Sequence, residues 1–180
     1  MNIANKLTIL RMILVPFFIF FFITDMVEQP MGRYIALGIF IIASLTDFLD
    51  GYLARSRNMV TTFGKFMDPL ADKLLVVSAL VSLTFLGELS PWVVMIIIAR
   101  EFIISGFRLV AASEGIVIAA SWWGKIKTAT QMFMIILLLF NIDNPTVNLI
   151  EVVLIWAAVI LTIVSLVDYL VKNKHVLTFK

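Results

Sequence analysis

The sequence predicts an all-α integral membrane protein, a bundle of six transmembrane helices with a polar cavity facing the cytoplasm. Three observations lead there. Hydrophobic residues fill 62% of the 180 positions and charged residues only 14%, where soluble domains run at about 45–50% and about 25%. The apolar residues gather into six stretches, each near the roughly 20 residues that cross a bilayer as a helix. The cations collect at alternate ends of those stretches. A soluble globule of this size could not hide so much apolar surface, and six spans with short loops leave no room for a large extramembrane domain or a dinucleotide-binding unit.

Taken in order, the stretches are residues 7–23, 34–54, 70–86, 92–112, 126–141 and 147–171. The first follows Lys6 and includes Arg11, a pattern shared with signal peptides. It ends in Thr24-Asp25-Met26 with no small-x-small cleavage pattern, so it is read as a retained helix. The breaks carry turn chemistry: Glu28-Gln29-Pro30-Met31-Gly32, then Gly87-Glu88-Leu89-Ser90-Pro91, then residues 141–145. Pro69 fits the first turn of the third helix, where its missing N–H costs little. No linker, low-complexity run or repeat separates the stretches, so residues 1–180 are read as a single domain.

Lysine and arginine placement orients the bundle. Lys6 and Arg11, then Arg55, Arg57, Lys65 and Lys73, then Arg100, Arg108, Lys125 and Lys127, then Lys172, Lys174 and Lys180 share one side. That is 13 of the 14 cations, with Arg33 alone opposite. Both termini are therefore expected in the cytoplasm. Trp122, Trp123 and Tyr169 near the basic side and Trp92 near the other suit interfacial belts and ordinary packing equally. A net charge of +2 argues against nucleic acid as a partner. With no cysteine and His175 as the only histidine, disulfides, thiolate chemistry, serine–histidine triads and histidine-rich metal cages are excluded. Chemistry must come from carboxylates, cations and hydroxyls.

Four aspartates meet that requirement. Asp47 and Asp50 stand i, i+3 and Asp68 and Asp72 stand i, i+4, so each pair shares one helix face. Acids in or beside a span are costly and normally mark function or ion pairing. Gly51 and Ala54 continue the first acidic stripe with residues small enough for a backbone or ligand to approach. Four carboxylates facing one cavity do not all ionise without cations. Hard divalent ions bound through oxygen supply them, and Mg²⁺ readily shares its shell with phosphate. Arg55, Arg57, Lys65 and Lys73 crowd the same region and suit phosphate. The combination predicts a phosphate or diphosphate substrate at the membrane surface. Ion pairing that merely closes the bundle is the plainer alternative.

The run from Asp47 through Gly51, Ala54, Arg55 and Gly64 to Asp68 and Asp72 reads D-x2-D-G-x2-A-R-x8-G-x3-D-x3-D. It resembles the signature of the CDP-alcohol phosphotransferases at every motif position. Further likeness lies in Asn2 through Arg11, Lys65 through Lys73, Arg100 through Arg108 and Gly124 through Thr128. There the chain is similar to the bacterial branch of the family that makes phosphatidylglycerol phosphate. Ala4 departs from a proline common at that position.

The resemblance implies a six-helix enzyme of the bacterial cytoplasmic membrane, usually a homodimer, with its active site toward the cytoplasm. Its donor would be CDP-diacylglycerol and its acceptor sn-glycerol 3-phosphate. It also implies that Asp47, Asp50, Asp68 and Asp72 hold one or two divalent ions, Mg²⁺ or Mn²⁺, on the donor diphosphate. Asp72 would take the acceptor proton. Gly51, Ala54, Arg55 and Gly64 would border the nucleotide and diphosphate. Asn5 and Thr8 fit that pocket or a helix N-terminal cap equally well.

An acceptor with its own phosphate needs a second cationic cluster, for which Arg108, Lys125 and Lys127 are the candidates. Topology signalling and contact with anionic lipid heads compete with that role, evenly so at Lys127. Arg100 and Glu101 are read as structural residues that pair with neighbouring helix groups, Lys172, Lys174 and Lys180 as a snorkelling tail, and Asp168 as a partner for a nearby cation. Two other functions compete: the same chemistry with inositol phosphate, serine or phosphatidylglycerol as acceptor, and a cation transporter. Transporter sites lie near the midplane, commonly with repeat symmetry, and neither feature is visible in this sequence.

Overall fold

A computed structural model of the chain describes residues 3–56, 62–113, 115, 116, 118, 119 and 121–174; the side chains of residues 3, 4, 47–56 and 62–66 lie outside that description. Six helices follow one another: α1 Ile3–Ile23, α2 Met31–Ser56, α3 Thr62–Phe85, α4 Pro91–Ser113, α5 Trp122–Phe140 and α6 Pro145–Lys172. Among the described residues there is no strand. The stretches over Asn5–Ile23, Trp122–Phe140 and Pro145–Lys172 are long and apolar enough to cross a membrane. α2, α3 and α4 have spanning length, at about 1.5 Å per residue, and carry most of the charged residues that the sequence singles out.

Each predicted helix is present, and every one begins earlier than the apolar pattern does. The largest difference is at α3. It starts at Thr62, so Pro69 stands inside the helix and not in its first turn. A proline removes one ladder hydrogen bond and strains the preceding turn, and within a membrane bundle neighbouring helices can make that good. Residues 62–67 escaped the pattern because Thr62, Gly64 and Lys65 interrupt their apolar residues and Pro69 suggested a first turn.

Loop chemistry explains where the helices end. Gly87 at φ +77° and Gly115 at φ +74° stop α3 and α4. The N–H of Gly87 donates to Thr84 O (3.0 Å) and that of Glu88 to Leu83 O (2.9 Å), and Gly115 and Ile116 repeat the pattern on Ala112 and Ala111. This is the Schellman arrangement, which a left-handed glycine makes inexpensive. Ser121 caps α5 by accepting from Gly124 N–H (3.1 Å), and Asn144 caps α6 from Thr146 N–H (2.9 Å) just ahead of Pro145.

The helices group into two compact units, Met1–Glu88 and Leu89–Lys180. In the first, α1 packs on both α2 and α3. Phe18 stacks on Phe22 (5.5 Å) and meets Phe40 (6.0 Å), and Ala36, Ala43, Ala71 and Ala79 are buried to within 1%. Small side chains at these points let the helices approach closely, so Ala36 and Ala43 serve contacts within the chain. Gly32 has a sharper reason: a Cβ there would lie 3.0 Å from Phe21 O and 3.2 Å from Val27 O. Arg33 meets Glu88 through two contacts of 2.5 Å and lies over the Phe22 ring at 5.3 Å. The cation opposite the basic side is thereby spent on tying α2 to the end of α3. In the second unit, α6 packs on α4 and α5, with Ile97, Met134, Ile135, Leu139 and Ala158 fully buried.

Candidate active site

The acidic signature falls on two helices of the first unit. Asp47, Asp50, Gly51, Ala54 and Arg55 lie in the unbroken C-terminal part of α2, so the i, i+3 spacing is realised on one helix. Their side chains, like that of Gly64 in α3, lie outside the described residues. Asp68 and Asp72 stand one turn apart in α3, both half-buried. Because α3 starts at Thr62, this pair occupies the second and third turns, deeper along the helix than a start near Pro69 would put it.

α1 supplies the neighbour that the sequence left undecided. Thr8, fully buried, donates its hydroxyl hydrogen to Asp68 Oδ1. It sits in the second turn of α1, which rules out an N-cap role and turns its side chain to the acidic pair. Asn5, three residues earlier on the same helix, is also buried, at 8% exposure. A buried hydroxyl on a carboxylate fixes the rotamer of that side chain. Among the described residues no three carboxylates or histidines converge, and Asp47 and Asp50 are not among them. The donors present are oxygens only, a set that fits hard divalent ions and suits softer metals poorly.

The three cations proposed for an acceptor phosphate do not share one environment. Arg108 on α4 is exposed, its Nε donating to Tyr169 Oη (3.2 Å) and its guanidinium 5.6 Å from the Tyr169 ring centroid. Lys125 is exposed beside Trp122, 6.0 Å from that ring. Lys127 departs from the expectation. It is 2% exposed and its ammonium donates to Glu101 Oε1 (2.6 Å). Two residues along a helix turn about 200°, so Lys125 and Lys127 look in nearly opposite directions, and only the second faces inward. A buried ammonium requires partners, and Glu101 provides one.

Glu101 holds more than one cation. Arg100 Nη1 donates to the same carboxylate oxygen (2.9 Å), and Arg100 Nε donates to Ser165 Oγ on α6 (3.1 Å). The first turn of α5 lies close against this cluster, since a Cβ on Gly124 would come 3.3 Å from Arg100 Nη2. One carboxylate thus links α4 to α5, and its arginine links α4 to α6. Arg100 and Glu101 thus meet groups of neighbouring helices, as their structural reading expects; that Lys127 is one of those groups carried no signal in the chain. Asp168 pairs with Lys172 (2.6 Å), one turn on, which gives it the cation partner expected and ties the first lysine of the tail. Tyr169 is 1% exposed, so of its two readings packing holds. His175, Lys180 and Arg57 lie outside the described residues.

Comparison with known proteins adds the chemistry. The profile of the CDP-alcohol phosphatidyltransferase family matches residues 1–164. A CDP-diacylglycerol–glycerol-3-phosphate 3-phosphatidyltransferase of Bacillus subtilis (strain 168) is 42% identical over 96% of this chain and 95% of its own length. A protein of the same name from Haemophilus influenzae is 43% identical, over 94% of this chain and 91% of its own. A probable phosphatidylglycerophosphate synthase of Mycobacterium tuberculosis (strain H37Rv) is 41% identical over 95% and 81%.

Proposed function

The chain belongs to the CDP-alcohol phosphatidyltransferase family, and on that premise we propose that it transfers the phosphatidyl group of CDP-diacylglycerol to sn-glycerol 3-phosphate. The products are phosphatidylglycerol phosphate and CMP. The observation that carries the reading is the unbroken acidic signature on α2 and α3, with Thr8 on Asp68, in a chain over 40% identical to relatives named for this reaction. Residues 1–180 act as one enzymatic domain.

The acceptor hydroxyl oxygen bonds to the phosphorus that carries diacylglycerol. The P–O bond to CMP breaks, and the hydroxyl proton passes to Asp72. A carboxylate is a weak base for an alcohol, so the proton moves late, as the new bond forms. Asp47, Asp50, Asp68 and Asp72 would hold one or two Mg²⁺ or Mn²⁺ ions. When bound, these supply charge neutralisation on the diphosphate and its alignment for in-line attack. Asn5, Gly51, Ala54, Arg55 and Gly64 border the nucleotide, and Thr8 orients Asp68. Arg108 and Lys125, the exposed members of the proposed cluster, hold the acceptor phosphate. Lys127 serves with Glu101 and Arg100 as the support of that face.

The basic bias of the loops supports termini and active site on the cytoplasmic face of a bacterial-type inner membrane. The family supports a homodimer, which cross-linking in native membranes would detect. The deciding experiment follows CMP release by purified protein in nanodiscs containing CDP-diacylglycerol, with glycerol 3-phosphate, inositol phosphate, serine or phosphatidylglycerol offered in turn. Glycerol 3-phosphate is expected to give the fastest release. If it does no better than buffer while another acceptor does, the substrate assignment fails. EDTA is expected to stop turnover and Mg²⁺ or Mn²⁺ to restore it; turnover in metal-stripped protein would refute the role of the ions.

A further inference from the structure

We propose that Tyr169, on α6, is a positioning residue that presents Arg108 to the acceptor phosphate. The inference rests on the assignment of Arg108 under Proposed function. An exposed arginine side chain samples many rotamers, and fixing it on each binding event weakens binding. Arg108 is exposed yet held at two points: Nε donates to the Tyr169 hydroxyl at 3.2 Å, and the guanidinium plane lies 5.6 Å from the centre of the same ring.

The ring itself is immobilised. Tyr169 is 1% exposed, meets Phe107 edge to face at 5.7 Å and 79°, and packs with Ile104 and Ala111 on α4. A guanidinium has five N–H donors. With Nε on the phenol oxygen, the terminal nitrogens keep four, in the fork that matches two phosphate oxygens. Among the described residues no other hydrogen bond to Arg108 is formed. Tyr169 therefore does two things that a leucine there could not: it completes the core beside α4 and sets the direction of the one cation on that turn that reaches solvent.

Tyr169→Phe separates these roles, since the ring and its packing stay and only the hydroxyl goes. Loss of one charge-assisted hydrogen bond on the arginine is expected to raise KM for glycerol 3-phosphate about five- to tenfold. The kcat, the KM for CDP-diacylglycerol and the melting temperature should stay near wild type. Arg108→Gln should raise the same KM further, and adding Tyr169→Phe to it should change nothing more, because the hydroxyl acts only through the arginine. If Tyr169→Phe leaves the acceptor KM within twofold, or raises it as much without Arg108 as with it, the inference is overturned. A fall in melting temperature that accompanies equal changes in both KM values also overturns it, in favour of a packing role. If Arg108→Gln itself keeps a wild-type acceptor KM, the assignment of Arg108 fails first and the inference with it; a raised KM there with no effect of Tyr169→Phe overturns the inference alone.

Discussion

Replacing Glu101 by glutamine should be among the most destabilising conservative changes in this protein. The carboxylate takes hydrogen bonds from two cations, Lys127 at 2.6 Å and Arg100 at 2.9 Å, whose side chains are 2% and 9% exposed. Glutamine keeps the size and removes the charge, so the Lys127 ammonium is left buried with its anion gone. Breaking a buried pair from one side costs about 3–5 kcal/mol, mostly as an uncompensated charge. Glu101 is itself 21% exposed, and water reaching it places the expected loss near the lower end, about 3 kcal/mol. At about 2–4 °C per kcal/mol for a chain of this size, the melting temperature should fall by roughly 6–12 °C.

The same reasoning predicts the compensating change. Lys127→Met in the Glu101→Gln background removes the buried charge that has lost this anion and fills its space with an unbranched apolar side chain, so the double variant should recover about half of the loss. Lys127→Met alone leaves Glu101 still paired with Arg100 and should cost less than Glu101→Gln. Thermal unfolding of detergent-solubilised protein, followed by intrinsic tryptophan fluorescence, measures all three. A Glu101→Gln variant that melts within 1 °C of wild type, or a double variant no more stable than the single, would refute the burial argument.

Gly32→Ala drives a methyl group against two backbone carbonyls and should cost about 1–3 kcal/mol. Gly38→Ala, with nothing within 4 Å of its Cβ position, should be neutral or gain up to about 1 kcal/mol; the pair of melting temperatures checks both. Arg33→Ala should lower stability by about 1–2 kcal/mol, since it opens a two-point contact with a partly exposed Glu88, and an unchanged melting temperature would count against that contact. Thr8→Val keeps the volume and withdraws the hydroxyl from Asp68, so CMP release should fall by about one order of magnitude or more with the protein still folded; full activity would remove Thr8 from the site.

Much of the architecture was legible because hydropathy is local. An apolar run long enough to cross a bilayer has few options other than a helix, and glycines and prolines at the breaks marked most of the ends. The exception, the first turns of α3, shows the limit: the helix runs on through Gly64, Lys65 and Pro69, which interrupt the apolar pattern, wherever the backbone ladder can continue. The acidic signature was legible for a related reason. Spacings of three and four residues fix a shared helix face before any packing is known, and α2 and α3 preserve them.

Packing decided the fate of the individual cations. Lys125 and Lys127 carry the same charge two residues apart, and the fold exposes one and buries the other because they lie on opposite faces of α5. Tyr169 and Arg108 are 61 residues apart, as Thr8 and Asp68 are 60, and no local pattern links either pair. The sequence by itself determined that this chain is a helical membrane protein with a diphosphate-type acidic motif, because helix length and helix periodicity are properties of neighbours along the chain. Only the tertiary structure decided which charges are open to a ligand and which are consumed in holding helices together. That depends on which face of each helix turns inward, and the packing of distant segments sets it.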